Sequence, residues 1–130
     1  MTDQELIALA LEARQHAYAP YSEYAVGAAL LCKSGSVYTG CNIENAVFGL
    51  TICAERVALF KAVSENERAF ETIAVVTSNG GSPCGSCRQV LVEFGPEMRI
   101  LIATPDQLVC ETRVADLLPC AFGPQYLTAT

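Results

Sequence analysis

Residues 83–94 read "PCGSCRQVLVEF". Cys84 and Cys87 are three positions apart, so they share one face of a first helical turn. Pro83 has no N–H to donate and sets the loop just before that turn. Upstream, "TIAVVTS" (72–78) reads as a buried strand, and downstream "RILIAT" (99–104) reads as another. Strand, helix and strand in succession imply a parallel pair joined by a crossover. What the two cysteines do at the start of this helix is a separate question. A redox pair, half of a structural zinc site and part of a catalytic zinc site all fit the spacing.

The rest of the chain extends this unit. "CAERVALFKAV" (53–63) reads as a second helix, with Val57, Leu59, Phe60 and Val63 on its buried side. "AVGAALL" (25–31) and "VYTG" (37–40) flank "KSGS" and read as a hairpin around Gly35. A first helix is expected over about 3–16, opened by the capping box "TDQE" and lined by Leu6, Leu9, Ala10 and Ala13. "VCETRV" (109–114) suits a last edge strand and "ADLLP" (115–119) a short helical turn. The order α-β-β-α-β-α-β with a short β-α tail predicts an α/β fold. Its expected form is a three-layer α/β/α sandwich: a mixed sheet of about five strands with helices on both faces. The whole of residues 1–130 is expected to be one domain.

Composition narrows the function. The chain carries 8 Lys and Arg against 14 Asp and Glu, for a net charge of −6. The few basic residues are scattered, which argues against nucleic acid as a partner. No apolar run is long enough to span a bilayer, and the N-terminus lacks a signal-peptide pattern. The expectation is a soluble, cytoplasmic protein with no membrane partner, acting on a small uncharged substrate. No phosphate-binding glycine motif is present. Seven cysteines, an odd number, argue against a disulfide framework. Cys32, Cys41, Cys110 and Cys120 lie in apolar or strand-like stretches and read as packing residues.

Cys53, Cys84 and Cys87 remain. Each is expected at or near a helix N-terminus, where free N–H groups and the helix dipole stabilise thiolates. Three sulfurs suit zinc and leave one position open, as catalytic sites require. A structural site would need a fourth ligand, for which Cys41, Cys110, Cys120 or His16 are available. Glu55 lies two residues after Cys53. In the first turn both can face one pocket, which puts Glu55 beside the open position as a general acid/base. Three thiolates and Zn²⁺ sum to −1, and Arg56, on the Cys53 face, is placed to donate to a thiolate and offset that charge. A redox protein would have no use for Cys53 and Glu55 at a helix start.

With these motifs in view, the chain resembles the small, zinc-dependent, homotetrameric cytidine deaminases. The resemblance runs through "AYAPYSEYAVGAAL" (17–30), "GCNIENAVFGLTICAERVALFKAV" (40–63), "SPCGSCRQVLVEF" (82–94) and "LLPCAFGP" (117–124). It implies hydrolytic deamination of cytidine and 2′-deoxycytidine, with one zinc ion per subunit on Cys53, Cys84 and Cys87. Water activated at the open zinc position would attack carbon 4 of cytosine, with Glu55 as proton shuttle. It further implies that Asn42 and Glu44 bind the ribose hydroxyls and that the Ala54 N–H meets the base carbonyl. Tyr24 and Phe48 would lie near the nucleoside, at positions where the family often has Phe and Tyr respectively. Phe122 would stack on the base from a neighbouring subunit of a homotetramer. The same chemistry on a nucleotide, a blasticidin-like antibiotic or an N4-modified cytidine is the nearest alternative. Polynucleotide editing and a non-catalytic zinc module stand further off.

Overall fold

The computed structural model describes residues 1–128. Helix α1 (Asp3–Arg14) is followed by strands β1 (Gly27–Cys32) and β2 (Val37–Cys41). Then come helix α2 (Ala54–Ser64), strand β3 (Phe70–Val76), helix α3 (Gly85–Phe94) and strands β4 (Arg99–Ala103) and β5 (Leu108–Arg113). Short 3-10 turns lie at Phe48–Leu50 and Val114–Leu117, and a last turn of helix, α4, at Gln125–Thr128. The sheet order is β2-β1-β3-β4-β5. The β3–β4 pair is parallel across α3, and the other three pairs are antiparallel. This is the mixed five-stranded α/β sandwich expected from the sequence.

Strand alternation builds the layers. Leu6 and Ala10 of α1 pack on Ala29, Ala74, Val76, Leu101 and Ala103. The alternate residues Ala28, Leu30, Ile73, Val75, Ile100 and Ile102 face α2 and α3. The expected capping box is formed: Thr2 Oγ1 accepts from Glu5 N–H, and the Glu5 carboxylate accepts from Thr2 N–H. Among the described residues, no helix is long and apolar enough to cross a membrane.

Helix α2 corrects one expectation. Its buried residues are Ala54, Glu55, Ala58, Leu59 and Ala62, whereas Phe60 is exposed and Val57 and Val63 are half-buried. The cause is the closeness of helix and sheet. A Cβ added to Gly40 of β2 would lie 2.5 Å from the Ala54 carbonyl and 2.7 Å from the Ala58 N–H. Only small residues, Ala54 and Ala58, fit at that closest point, which leaves Leu59 as the large apolar side chain of α2 that is fully buried and Phe60 exposed. Gly40→Ala is expected to push α2 off the sheet at a cost of about 3 kcal/mol. Denaturant unfolding checks this, and an unchanged midpoint would show that the helix yields freely. The cysteine expectation is also corrected in part: Cys32 is buried and Cys41 half-buried, but Cys110 and Cys120 are exposed.

Candidate active site

Cys53 and Cys84 occupy the same structural position, the N-cap of α2 and of α3. An N-cap side chain normally accepts a hydrogen bond from its own helix. Neither cysteine does so, and the two sulfurs turn toward each other at 3.8 Å. Cys87, one turn into α3 and fully buried, brings its sulfur 3.5 Å from that of Cys84. All three sulfurs lie within 4.8 Å of one another. Zinc–sulfur bonds of about 2.3 Å at a tetrahedral angle need sulfurs about 3.8 Å apart, so the triad has the right size. Cys41, Cys110, Cys120 and His16 are not in the cluster, which is the only such group among the described residues.

The electrostatics agree with a cation site. The Cys87 thiol beside Cys53, then the Arg56 guanidinium, draw the Cys53 thiol down to about 5, against the effect of burial. Sharing of its proton with Cys53, then burial, pushes the Cys87 thiol up. Arg56 Nη2 donates to Cys53 Sγ at 3.3 Å. Arg56 Nε is buried with no partner among the described residues. A spare donor on the guanidinium that already binds the Cys53 sulfur fits a site built to hold more than one thiolate, which a bound zinc ion requires.

Cys53, Cys84 and Glu55 line a pocket of about 240 Å³, room for one small ligand. Glu55 is 4% exposed, and burial raises its carboxyl to about 7. Asn42 and Glu44 line the same pocket, with Ser22, Tyr24, Thr51, Thr77 and Gly81. A larger hollow of about 440 Å³ lies between α3 and the C-terminal segment, and contains none of the three sulfurs.

Asn42 and Glu44 are fixed by the segment 18–26. Glu44 Oε1 accepts from the N–H groups of Tyr21 and Ser22 at 3.0 and 3.1 Å, and its Oε2 accepts from the Ser22 hydroxyl. Asn42 Oδ1 accepts from Val26 N–H at 2.9 Å, while its Nδ2 donates to the Tyr24 carbonyl at 2.8 Å. A carboxylate has about four lone-pair sites and an amide nitrogen two hydrogens. With these bonds made, Glu44 keeps about one acceptor site and Asn42 one N–H for a ligand. The Ser22 hydroxyl bond, together with the backbone N–H donors, holds the Glu44 carboxyl below its usual range despite burial.

Ala54 is buried at the first position of α2, where its N–H has no partner within the helix. Phe48 is 71% exposed and Phe122 56% exposed, and neither lines the pocket of its own chain. Phe122 stacks on Tyr126 with ring centroids 5.5 Å apart. Two residues not singled out from the sequence hold the site together. Ser22 orients Glu44 across 22 positions of chain. Arg88 binds the loop before Cys84, donating to the Pro83 carbonyl (2.8 Å), Ser82 Oγ (2.7 Å) and the Leu117 carbonyl (2.9 Å). The Ser22–Glu44 and Arg88–Leu117 pairings span 22 and 29 positions and leave no periodic trace in a sequence.

A three-layer α/β/α fold with a three-sulfur centre at two paired helix N-termini, and a buried carboxylate beside it, has the make-up of a metal-dependent hydrolase. Comparison with known proteins makes this specific. Residues 1–104 match the family described as the cytidine and deoxycytidylate deaminase zinc-binding region. The cytidine deaminase of Sporosarcina psychrophila is 48% identical over 98% of this chain and 96% of its own length. That of Halalkalibacterium halodurans is 51% identical over 94% and 95%. The crystal structure of the Burkholderia pseudomallei cytidine deaminase superposes with a TM-score of 0.91 at 48% identity, covering 94% of this chain and all of that one. The chain belongs to the cytidine deaminase family.

Proposed function

We propose that the chain deaminates cytidine and 2′-deoxycytidine to uridine and 2′-deoxyuridine, releasing ammonia, with one zinc ion on Cys53, Cys84 and Cys87. Residues 1–130 then act as one catalytic domain. The observation that carries this reading is a single pocket. Two of the sulfurs, the buried Glu55 carboxylate and the Asn42–Glu44 pair all face it.

A zinc ion held by the sulfurs of Cys53, Cys84 and Cys87 would supply Lewis-acid activation of a water. The chain's own groups do the rest. Asn42 donates its spare N–H to a sugar hydroxyl, and Glu44 accepts a hydroxyl hydrogen. The Ala54 N–H donates to the base carbonyl, which sets the ring over Glu55. The Glu55 carboxylate takes a proton from the attacking water and delivers it to ring nitrogen 3, making carbon 4 more electrophilic. With oxygen joined to carbon 4, Glu55 carries the second proton to the exocyclic nitrogen, which leaves as ammonia. Burial of Glu55 keeps bulk water from intercepting these protons.

Loss of cytidine's ultraviolet absorbance band with purified, zinc-loaded protein tests the reaction, and a panel of modified cytidines and cytidine 5′-phosphate tests its range. No change with any of them would overturn the reading. Glu44→Gln is expected to lower kcat/KM for cytidine about 10²-fold, mainly through KM. It puts an amide donor against the donors of Tyr21 and Ser22 and leaves a buried site unpaired. Steady-state kinetics on cytidine check this, and wild-type KM would remove Glu44 from sugar recognition.

The same reading extends to a homotetramer whose sites are completed by neighbours. Supporting it, Ile43, Val47, Phe48 and Leu50 form an exposed apolar stretch beside the pocket, and Phe122 is outward-facing. Light scattering that gave only monomer at working concentration would undo the role of Phe122. Ligands that must stay as thiolates suit a reducing compartment, consistent with nucleoside salvage in the cytoplasm.

A further inference from the structure

Tyr24 stands between the two halves of the pocket. Its backbone belongs to the Asn42–Glu44 wall: its N–H donates to Ser22 Oγ at 3.0 Å, and its carbonyl accepts from Asn42 Nδ2 at 2.8 Å. Its side chain crosses to the opposite wall, where the hydroxyl donates to Asn79 Oδ1 at 2.7 Å. Asn79 lies in the segment that runs from the end of β3 to Cys84. The same Oδ1 accepts from Gly81 N–H at 3.2 Å. Thr77 Oγ1 accepts from the N–H groups of Gly80 and Gly81 at 2.8 and 3.0 Å. The packing is matched as closely as the hydrogen bonds. A Cβ on Gly81 would lie 2.5 Å from the Tyr24 hydroxyl oxygen but 3.7 Å from the ring carbon that bears it. Gly81 is not in the left-handed region, so the hydroxyl and not the backbone is what excludes a side chain there.

We infer that the Tyr24–Asn79 bond is a strap that sets the spacing of the two pocket walls, and that Tyr24 is thereby a positioning residue for the reaction. The inference rests on reading the pocket as a nucleoside site. A nucleoside with its sugar on the first wall, at Asn42 and Glu44, meets the sulfur centre with its base, and Cys84 of that centre ends the second wall, which lines the pocket through Thr77, Gly81, Ser82 and Pro83. Its reacting carbon is therefore placed by the distance between the walls. Displacement of reacting groups by about 1 Å is enough to cost up to about 10²-fold in rate, so the strap acts on alignment without touching the chemistry.

The test compares Tyr24→Phe, Gly81→Ala and the double variant, all zinc-loaded. Cytidine kinetics are one readout. Amide hydrogen exchange over residues 77–83, without substrate, is the other. Each single variant is expected to lower kcat/KM about three- to tenfold, the scale of one lost hydrogen bond. The double variant is expected to be no worse than the poorer single one. Without the hydroxyl, a Gly81 side chain meets the ring at ordinary contact distance. Exchange at Gly80 and Gly81 should quicken in all three, with zinc content unchanged. Additive losses overturn the strap, as do wild-type kinetics and exchange in Tyr24→Phe. Faster exchange with unchanged kinetics also overturns the positioning role, because the bond would then be structural only. If wild-type protein leaves cytidine intact, the nucleoside reading fails, and exchange alone still decides whether the strap exists.

Discussion

Glu55→Ala is expected to keep one zinc ion per chain and to lose nearly all turnover. The carboxylate is buried at the first turn of α2 and faces the pocket beside two of the sulfurs. No neighbouring carboxylate is free to replace it: among the pocket-lining residues, Glu44 is the one other carboxylate, and its oxygens are engaged by Tyr21 and Ser22. A positioned acid/base contributes about 10²–10⁴-fold. The proposed mechanism assigns Glu55 several transfers in one cycle, so the loss should sit at or beyond the upper end. Metal analysis and single-turnover kinetics check the two halves of this expectation separately. Glu55→Gln should behave alike in rate, since an amide keeps the shape but cannot carry protons. Turnover within tenfold of wild type in either variant would break the proton-shuttle assignment. Loss of zinc in Glu55→Ala would instead make Glu55 a contributor to metal binding.

Cys87→Ala carries the second large effect. Cys87 lies behind the pocket, fully buried, so its removal leaves the sulfurs of Cys53 and Cys84 facing the ligand but takes away the third ligand. Zinc held by three thiolates should weaken by at least about 10³-fold when one is lost, given the size of zinc-binding free energies at such sites. Turnover should vanish with the metal. Stability gives an independent readout. A ligand present at about 1,000 times its Kd stabilises the folded state by about 4 kcal/mol. Adding a chelator should therefore lower the Tm of wild-type protein and leave that of Cys87→Ala unmoved. Retention of one zinc ion at wild-type affinity in the variant would shift the ligand role to another residue.

These expectations were open to a reader of the sequence because the chemistry is carried by short, local patterns. Cys84 and Cys87 at i and i+3, Pro83 before them and Glu55 two after Cys53 fix their relative placement through one turn of helix, whatever the rest of the chain does. The same holds for the strand alternation and the capping box of α1. The buried face of α2 was not legible. Its apolar pattern points to Val57, Leu59, Phe60 and Val63, and of these Leu59 alone is fully buried. The observed face is set by how closely Gly40 lets the helix approach, a distance between residues far apart in the chain.

What the sequence by itself determined is the kind of site: three sulfurs, one carboxylate and a polar loop, since residue type and local spacing dictate ligand and proton chemistry. What only the tertiary structure decided is which of those groups share one pocket and what holds them there. The grip of Ser22 on Glu44, the bond from Arg88 to the Leu117 carbonyl and the bond from Tyr24 to Asn79 all join segments far apart in the chain. Hydrogen bonds of about 3 Å have no range along a chain, so their partners become defined only once the fold has closed the distance.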